Sequence, residues 1–129
     1  MVHWDGDAGV GGAMVEAFLA GDAVAMIELL SADATLHSPV TDYRGRERVA
    51  EVLEALVQVL ADARASVQFE ARDTTAAFFT ATLDGRRGEG ALLVVAGPDG
   101  SVCGLTLMVR PLRSLLAAVE RMKALLAAH

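Results

Sequence analysis

Val67-Gln68-Phe69-Glu70-Ala71-Arg72 alternates apolar with polar side chains, the two-residue period of a strand. The same reading runs outward to Arg110. Ala76–Leu83, Gly88–Ala96 and Ser101–Arg110 are three further apolar runs of strand length. Asp84-Gly85 and Pro98-Asp99-Gly100 separate them, and both are turn sequences: glycine accepts positive φ and proline presets φ. From Ala65 to Arg110 the chain therefore predicts an antiparallel meander of four strands.

Upstream, the period is that of helices. A first helix is expected from Asp7 to Ala20, with Val10, Met14, Ala17 and Phe18 on one face. Gly11 and Gly12 each cost it roughly 1 kcal/mol against alanine. Gly21-Asp22 closes that helix and caps a second one over Ala23–Leu30. A short strand over Ala34–Ser38 is stopped by Pro39, with Leu36 on one face and Thr35 and His37 on the other. A third helix runs from Gly45 to Leu60, its stripe made by Val49, Val52, Leu53, Leu56 and Leu60. After the strands, Pro111 opens a last helix with Leu115, Leu116, Val119 and Met122 on its apolar side. Helices come early and strands late, so the class is α+β, with helices on one face of an antiparallel sheet.

Composition narrows the function. The 129 residues carry 11 basic and 17 acidic side chains, a net charge of −6, which sets nucleic-acid binding at a disadvantage. The longest runs free of charge, such as Thr74–Leu83, fall well short of the roughly 18–20 apolar residues of a membrane span. The N-terminal Met1–Asp7 lacks a basic region followed by an apolar run, so no signal peptide is expected. The single cysteine, Cys103, makes no internal disulfide and no thiolate metal site, and reads as a small buried apolar residue. No linker divides the chain. One domain over residues 1–129, in the cytoplasm, is the expectation. No GxSxG, P-loop, GxGxxG, HExxH or CxxC occurs, so no cofactor, nucleotide or zinc chemistry is expected.

Phe18-Leu19-Ala20-Gly21-Asp22, Leu29-Leu30-Ser31-Ala32-Asp33, Leu36-His37-Ser38-Pro39 and Tyr43-Arg44-Gly45-Arg46-Glu47 follow one another in an order and spacing that resemble the SnoaL-like (polyketide cyclase-like) branch of the nuclear transport factor 2-like superfamily. Glu89-Gly90 and Leu107-Met108-Val109-Arg110-Pro111-Leu112 resemble an uncharacterised bacterial subgroup of it. The likeness spans about Met14 to Met122. It implies a cone: a curved antiparallel sheet around a cavity, N-terminal helices closing it, and a C-terminal helix. Its members include isomerases, hydrolases, cyclases and binding proteins without enzymatic activity, so the site must decide.

The resemblance puts Cys103, Leu105, Leu107 and Val109 of the last strand inward, and Gly90, Leu92 and Val94 of the strand before it. Enzymatic members carry their general acid or base on these strands, usually an aspartate. Here Leu92, Leu105 and Leu107 stand in the matching positions, and a leucine shapes a pocket without moving a proton. His37 is the best polar candidate, as a hydrogen-bond anchor or weak base beside Pro39. Tyr43, the only tyrosine, is placed in the following loop as a second anchor or a lid. Trp4 reads as a tail residue or a plug at the cavity rim, and His3 with His37 is too sparse for a metal site. Arg44, Arg46 and Arg48 read as a solvated helix start, and Glu89 as an outward residue pairing with Arg110 or Arg86.

The leading expectation is a binding protein for a small hydrophobic molecule, held by His37, Tyr43, Leu92, Leu105 and Leu107, with no established catalysis. One alternative is an isomerase, cyclase or hydrolase with His37 as base, which would need Asp42, Asp33 or Glu89 beside it in the cavity. The other is an interaction module using the outer sheet face. On that face Ala91, Leu93, Val95, Thr106 and Met108 would make an exposed apolar patch. A homodimer is expected to bury it, unless the last helix folds across it through Leu112, Leu115 and Leu116.

Overall fold

Gly21 adopts the left-handed conformation, φ 68°, and ends helix α1 (Val10–Ala20). The Asp22 carboxylate then accepts the Ala25 N–H at 3.1 Å and starts α2 (Ala23–Glu28). The chain continues through β1 (Leu30–His37), β2 (Asp42–Arg44), α3 (Arg46–Val59), β3 (Leu60–Ala71), β4 (Thr74–Leu83), β5 (Arg86–Ala96), β6 (Val102–Arg110) and α4 (Leu112–Ala127). This computed structural model describes residues 9–127, so Trp4, His3 and the start of the expected first helix lie outside the described residues.

The six strands form one curved, unclosed sheet in the order β2-β1-β6-β5-β4-β3. The meander from β3 to β6 is antiparallel throughout, as its turns predict; Asp84 and Gly85 both take positive φ (49° and 85°) in a tight hairpin. The sheet as a whole is mixed, because β6 returns to lie parallel to β1. The fold is the α+β cone that the sequence resembles.

Helices α1 to α3 pack on the concave face. Phe18 of α1 meets Phe79 of β4 edge to face, ring centroids 5.0 Å apart, in a core with Met14, Met26, Leu36 and Leu53. Gly11 lets α1 approach this closely, since a Cβ there would stand 2.1 Å from Thr75 Oγ1. The glycine that weakens the helix locally is what seats it on the sheet.

Several elements differ from the sequence reading. Strand β1 begins at Leu30 rather than Ala34, because β6 supplies its partner. Tyr43 lies on a strand, β2, rather than in a loop; three residues are too few to show a period. Strand β3 follows α3 without a loop, Leu60 already being extended at φ −102° and ψ 126°. Beyond Leu60 and Ala63, which join the core, the large apolar side chains of β3 do not face it. Val67 and Phe69 are both 52% exposed and lie on the outer face, where Val67 pairs with the outward Phe78. β3 is the sheet edge, and its helix-facing side is left to Gln68 and Glu70.

Cys103 is only half-buried. A register break between Val95 and Ala96 turns Val102 into the core in its place, and the Cys103 thiol donates to the Val95 carbonyl at 3.6 Å. Pro111 sits one residue before α4, where its carbonyl accepts the Ser114 and Leu115 N–H groups. The last helix does not cross the outer face. It packs on α3 and on the ends of β4 to β6, held by Ala118 and Met122 against Val59 and Leu83 and by Ser114 Oγ donating to the Arg87 carbonyl at 2.6 Å. No helix among the described residues is long and apolar enough to cross a membrane.

Candidate functional site

The deep end of the cone is filled. Leu92 and Leu105, at 2% and 1% exposure, pack directly against the helices with Phe18, Phe79 and Val94, and leave no hollow between them. Toward the other end, beneath α4, the interior opens. There a cavity of about 200 Å³ lies between α3, the β1–β2 hairpin, β6 and α4. Leu36, Val52, Leu56, Leu107, Leu115 and Met122 form much of its wall. An apolar cavity of about 150 Å³ stays dry and accepts benzene. This one has room for a ring with a short substituent.

Strand parity decides which candidates reach it. Leu36 points inward and is buried, and Tyr43, its partner across the hairpin, points the same way and lines the cavity. His37 and Asp42, the next pair, point outward. Their side chains are 48% and 54% exposed, and Nδ1 lies 2.8 Å from Oδ1. An ionised carboxylate only accepts, so the imidazole Nδ1–H is the donor. Of the five residues singled out in the sequence, the structure brings Tyr43 and Leu107 to the cavity wall, leaves Leu92 and Leu105 in the packed core, and sets His37 on the opposite face.

The remaining carboxylates named as partners for His37 do not approach it. Asp33 accepts from Ser31 Oγ at 2.8 Å near the start of β1, and Glu89 is paired with Arg110 across the β5–β6 ladder. Of the two partners the sequence leaves open for Glu89, Arg110 and Arg86, the structure selects Arg110. Gly90, next to Glu89, allows β5 and β6 to close up, since a Cβ would meet the Met108 carbonyl oxygen at 2.0 Å.

Three polar side chains border the cavity. Ser38 Oγ is engaged within the hairpin turn, donating to the Thr41 carbonyl at 2.8 Å and accepting the Val40 and Thr41 N–H groups. The Tyr43 ring carries the Arg48 guanidinium 5.4 Å from its centroid. The third is Lys123 on α4, four residues after Val119 and on the same face of that helix, which the sequence reading did not single out because it took only apolar side chains for that stripe. Among the described residues no carboxylate lines the cavity.

The SnoaL-like domain model matches residues 12–108, three quarters of the chain. The chain belongs to the SnoaL-like family. Among solved structures, this SnoaL-like chain is similar to an uncharacterised bacterial protein with a cystatin-like fold from Silicibacter pomeroyi DSS-3, with TM-score 0.85, 22% identity, and coverage of 95% of this chain and 89% of that one. A steroid delta-isomerase from Pseudomonas aeruginosa superposes with TM-score 0.84 at 24% identity, covering 98% and 97% of the two chains. A de novo designed protein with a curved β-sheet superposes at 0.71 and 17% identity, covering 87% and 93%. None of the curated proteins matches this chain. At such identities these likenesses establish the fold and leave the chemistry to the side chains.

Proposed function

We propose that this SnoaL-like protein binds a small, largely apolar molecule in the cavity under α4 and catalyses no proton transfer there. The observation that carries the reading is the wall itself: about 200 Å³ bounded by aliphatic side chains, with no carboxylate among the described lining residues. Isomerisation in an apolar pocket needs a carboxylic acid or base with a raised pKa. His37 and Asp42 are hydrogen-bonded but half-exposed and face away, so they serve the hairpin and not a substrate. Tyr43 and Leu107 are the direct contacts.

The outer sheet face supports a second element of the reading, a homodimer. Val67, Phe78, Ala91 and Met108 are register partners in one row across β3 to β6, and Phe69 stacks obliquely on Phe78 with ring centroids 6.1 Å apart. Val67, Phe69, Phe78 and Met108 are each about half exposed. These four strands, about 4.8 Å apart and roughly ten residues long, present roughly 630 Å². That is at the low end of the roughly 600–1,000 Å² per partner of a stable interface. The charges beside the row, Glu89 and Arg110, already neutralise one another, so two copies of this acidic chain meet there without repulsion.

A thermal-shift screen of small aromatic and aliphatic compounds tests the binding function. A ligand at a hundred times its Kd adds about 2.7 kcal/mol to native stability and raises Tm by several degrees. No shift with any compound of benzene to phenylpropane size would refute the reading.

A further inference from the structure

Resting on the cavity reading above, we infer that the ligand is an amphiphilic carboxylate, an aryl or short alkyl group in the hollow with its carboxylate at the rim between Lys123 and Tyr43. Among the described residues Lys123 is the only charged side chain lining the cavity, in a chain whose net charge is −6. It is also the only lysine in the sequence, as Tyr43 is the only tyrosine, and both border this one hollow. A ligand without charge gains nothing from an ammonium at the entrance.

The geometry suits an end-on anion. Lys123 comes from α4 and Tyr43 from β2, so the two stand on different walls of the mouth, and the aliphatic lining lies beneath them. The ammonium has three donors. Its one carboxylate contact is Glu120, one turn back on the same helix at 3.5 Å with both side chains at least 70% exposed, a pair of the weak surface kind. Donors therefore remain for a ligand. On the other wall the Arg48 guanidinium lies over the Tyr43 ring and is already paired with Glu51 at 2.9 Å, so Lys123 is the charge left for the ligand. The lysine stem covers apolar surface while its head stays in water, so the carboxylate keeps part of its hydration as it binds.

Calorimetric titration of the full chain with phenylpropanoate and with its neutral alcohol, phenylpropanol, tests this. The two probes share the ring and stem and differ at the head. At low salt the carboxylate is expected to bind roughly five- to tenfold more tightly, as a charge-assisted hydrogen bond at an exposed site allows, and added salt should shrink that ratio. In Lys123→Met the ratio should fall to about one, and Lys123→Arg should restore the preference. Equal binding of the two probes to the unaltered protein, or a preference that survives Lys123→Met, overturns the carboxylate assignment and leaves the apolar cavity reading standing. Binding of neither probe overturns both.

Discussion

His37 and Asp42 face each other across the β1–β2 hairpin with Nδ1 2.8 Å from Oδ1, on the side of the sheet away from the cavity. One residue earlier in the same ladder, Leu36 and Tyr43 face inward. A single step in strand parity thus separates a polar pair in water from the two side chains that shape the cavity wall.

From this, His37→Ala is expected to lower stability by only about 0.5 kcal/mol, the scale of an exposed ion pair, and to change ligand affinity by no more than about twofold. Tyr43→Ala removes a wall of the cavity itself and should weaken the same ligand at least tenfold, about 1.4 kcal/mol. Titrating both variants with one ligand checks this; the reverse order of effects would place the imidazole at the site.

Gly11→Ala should destabilise the fold, although alanine favours a helix. The added methyl meets Thr75 Oγ1 at 2.1 Å and Cβ at 2.9 Å, in a position where α1 is pressed to β4. Overpacking of this kind costs about 1–3 kcal/mol, more than the roughly 1 kcal/mol that propensity returns. Urea denaturation would show a lower midpoint with an unchanged slope; a higher midpoint would mean that helix and sheet stand further apart.

On the outer face, Met108→Arg should split the dimer without unfolding the protomer. Met108 is 50% exposed in the row that includes Ala91, Phe78 and Val67. The new charge would be buried unpaired against its symmetry mate, which costs several kcal/mol in an interface. Sedimentation should give twice the 13.5 kDa protomer mass for the unaltered chain and one protomer for the variant. A unaltered chain that sediments as a monomer would remove the interface.

The turns were the most legible part of the sequence. Gly21-Asp22 and Asp84-Gly85 each specify a backbone conformation chemically, and the structure has both. A cross-strand partner for Glu89 was legible only as a choice between Arg110 and Arg86, and the β5–β6 register settles it on Arg110. The direction that an edge strand faces was not. Val67 and Phe69 alternate as core residues do, yet on β3 only the stretch near Leu60 joins the core, and their alternation serves the outer surface. A one-residue bulge likewise reversed Cys103, because parity arguments hold only while the register is unbroken. The site was half legible. Tyr43 and Leu107 reach the cavity, but Lys123, although it shares a helix face with Val119, gained a role only once α4 was seen to pack over the cavity, a placement fixed by tertiary contacts.

The central claim is that an apolar hollow under α4 is the working part of the molecule. Calorimetric titration with a neutral ring compound such as ethylbenzene, on the unaltered chain and on Leu107→Phe, measures it most directly. The account predicts saturable one-to-one binding with a negative heat-capacity change, lost when the larger side chain occupies the space. Heat that does not saturate, or equal binding by both proteins, would contradict it.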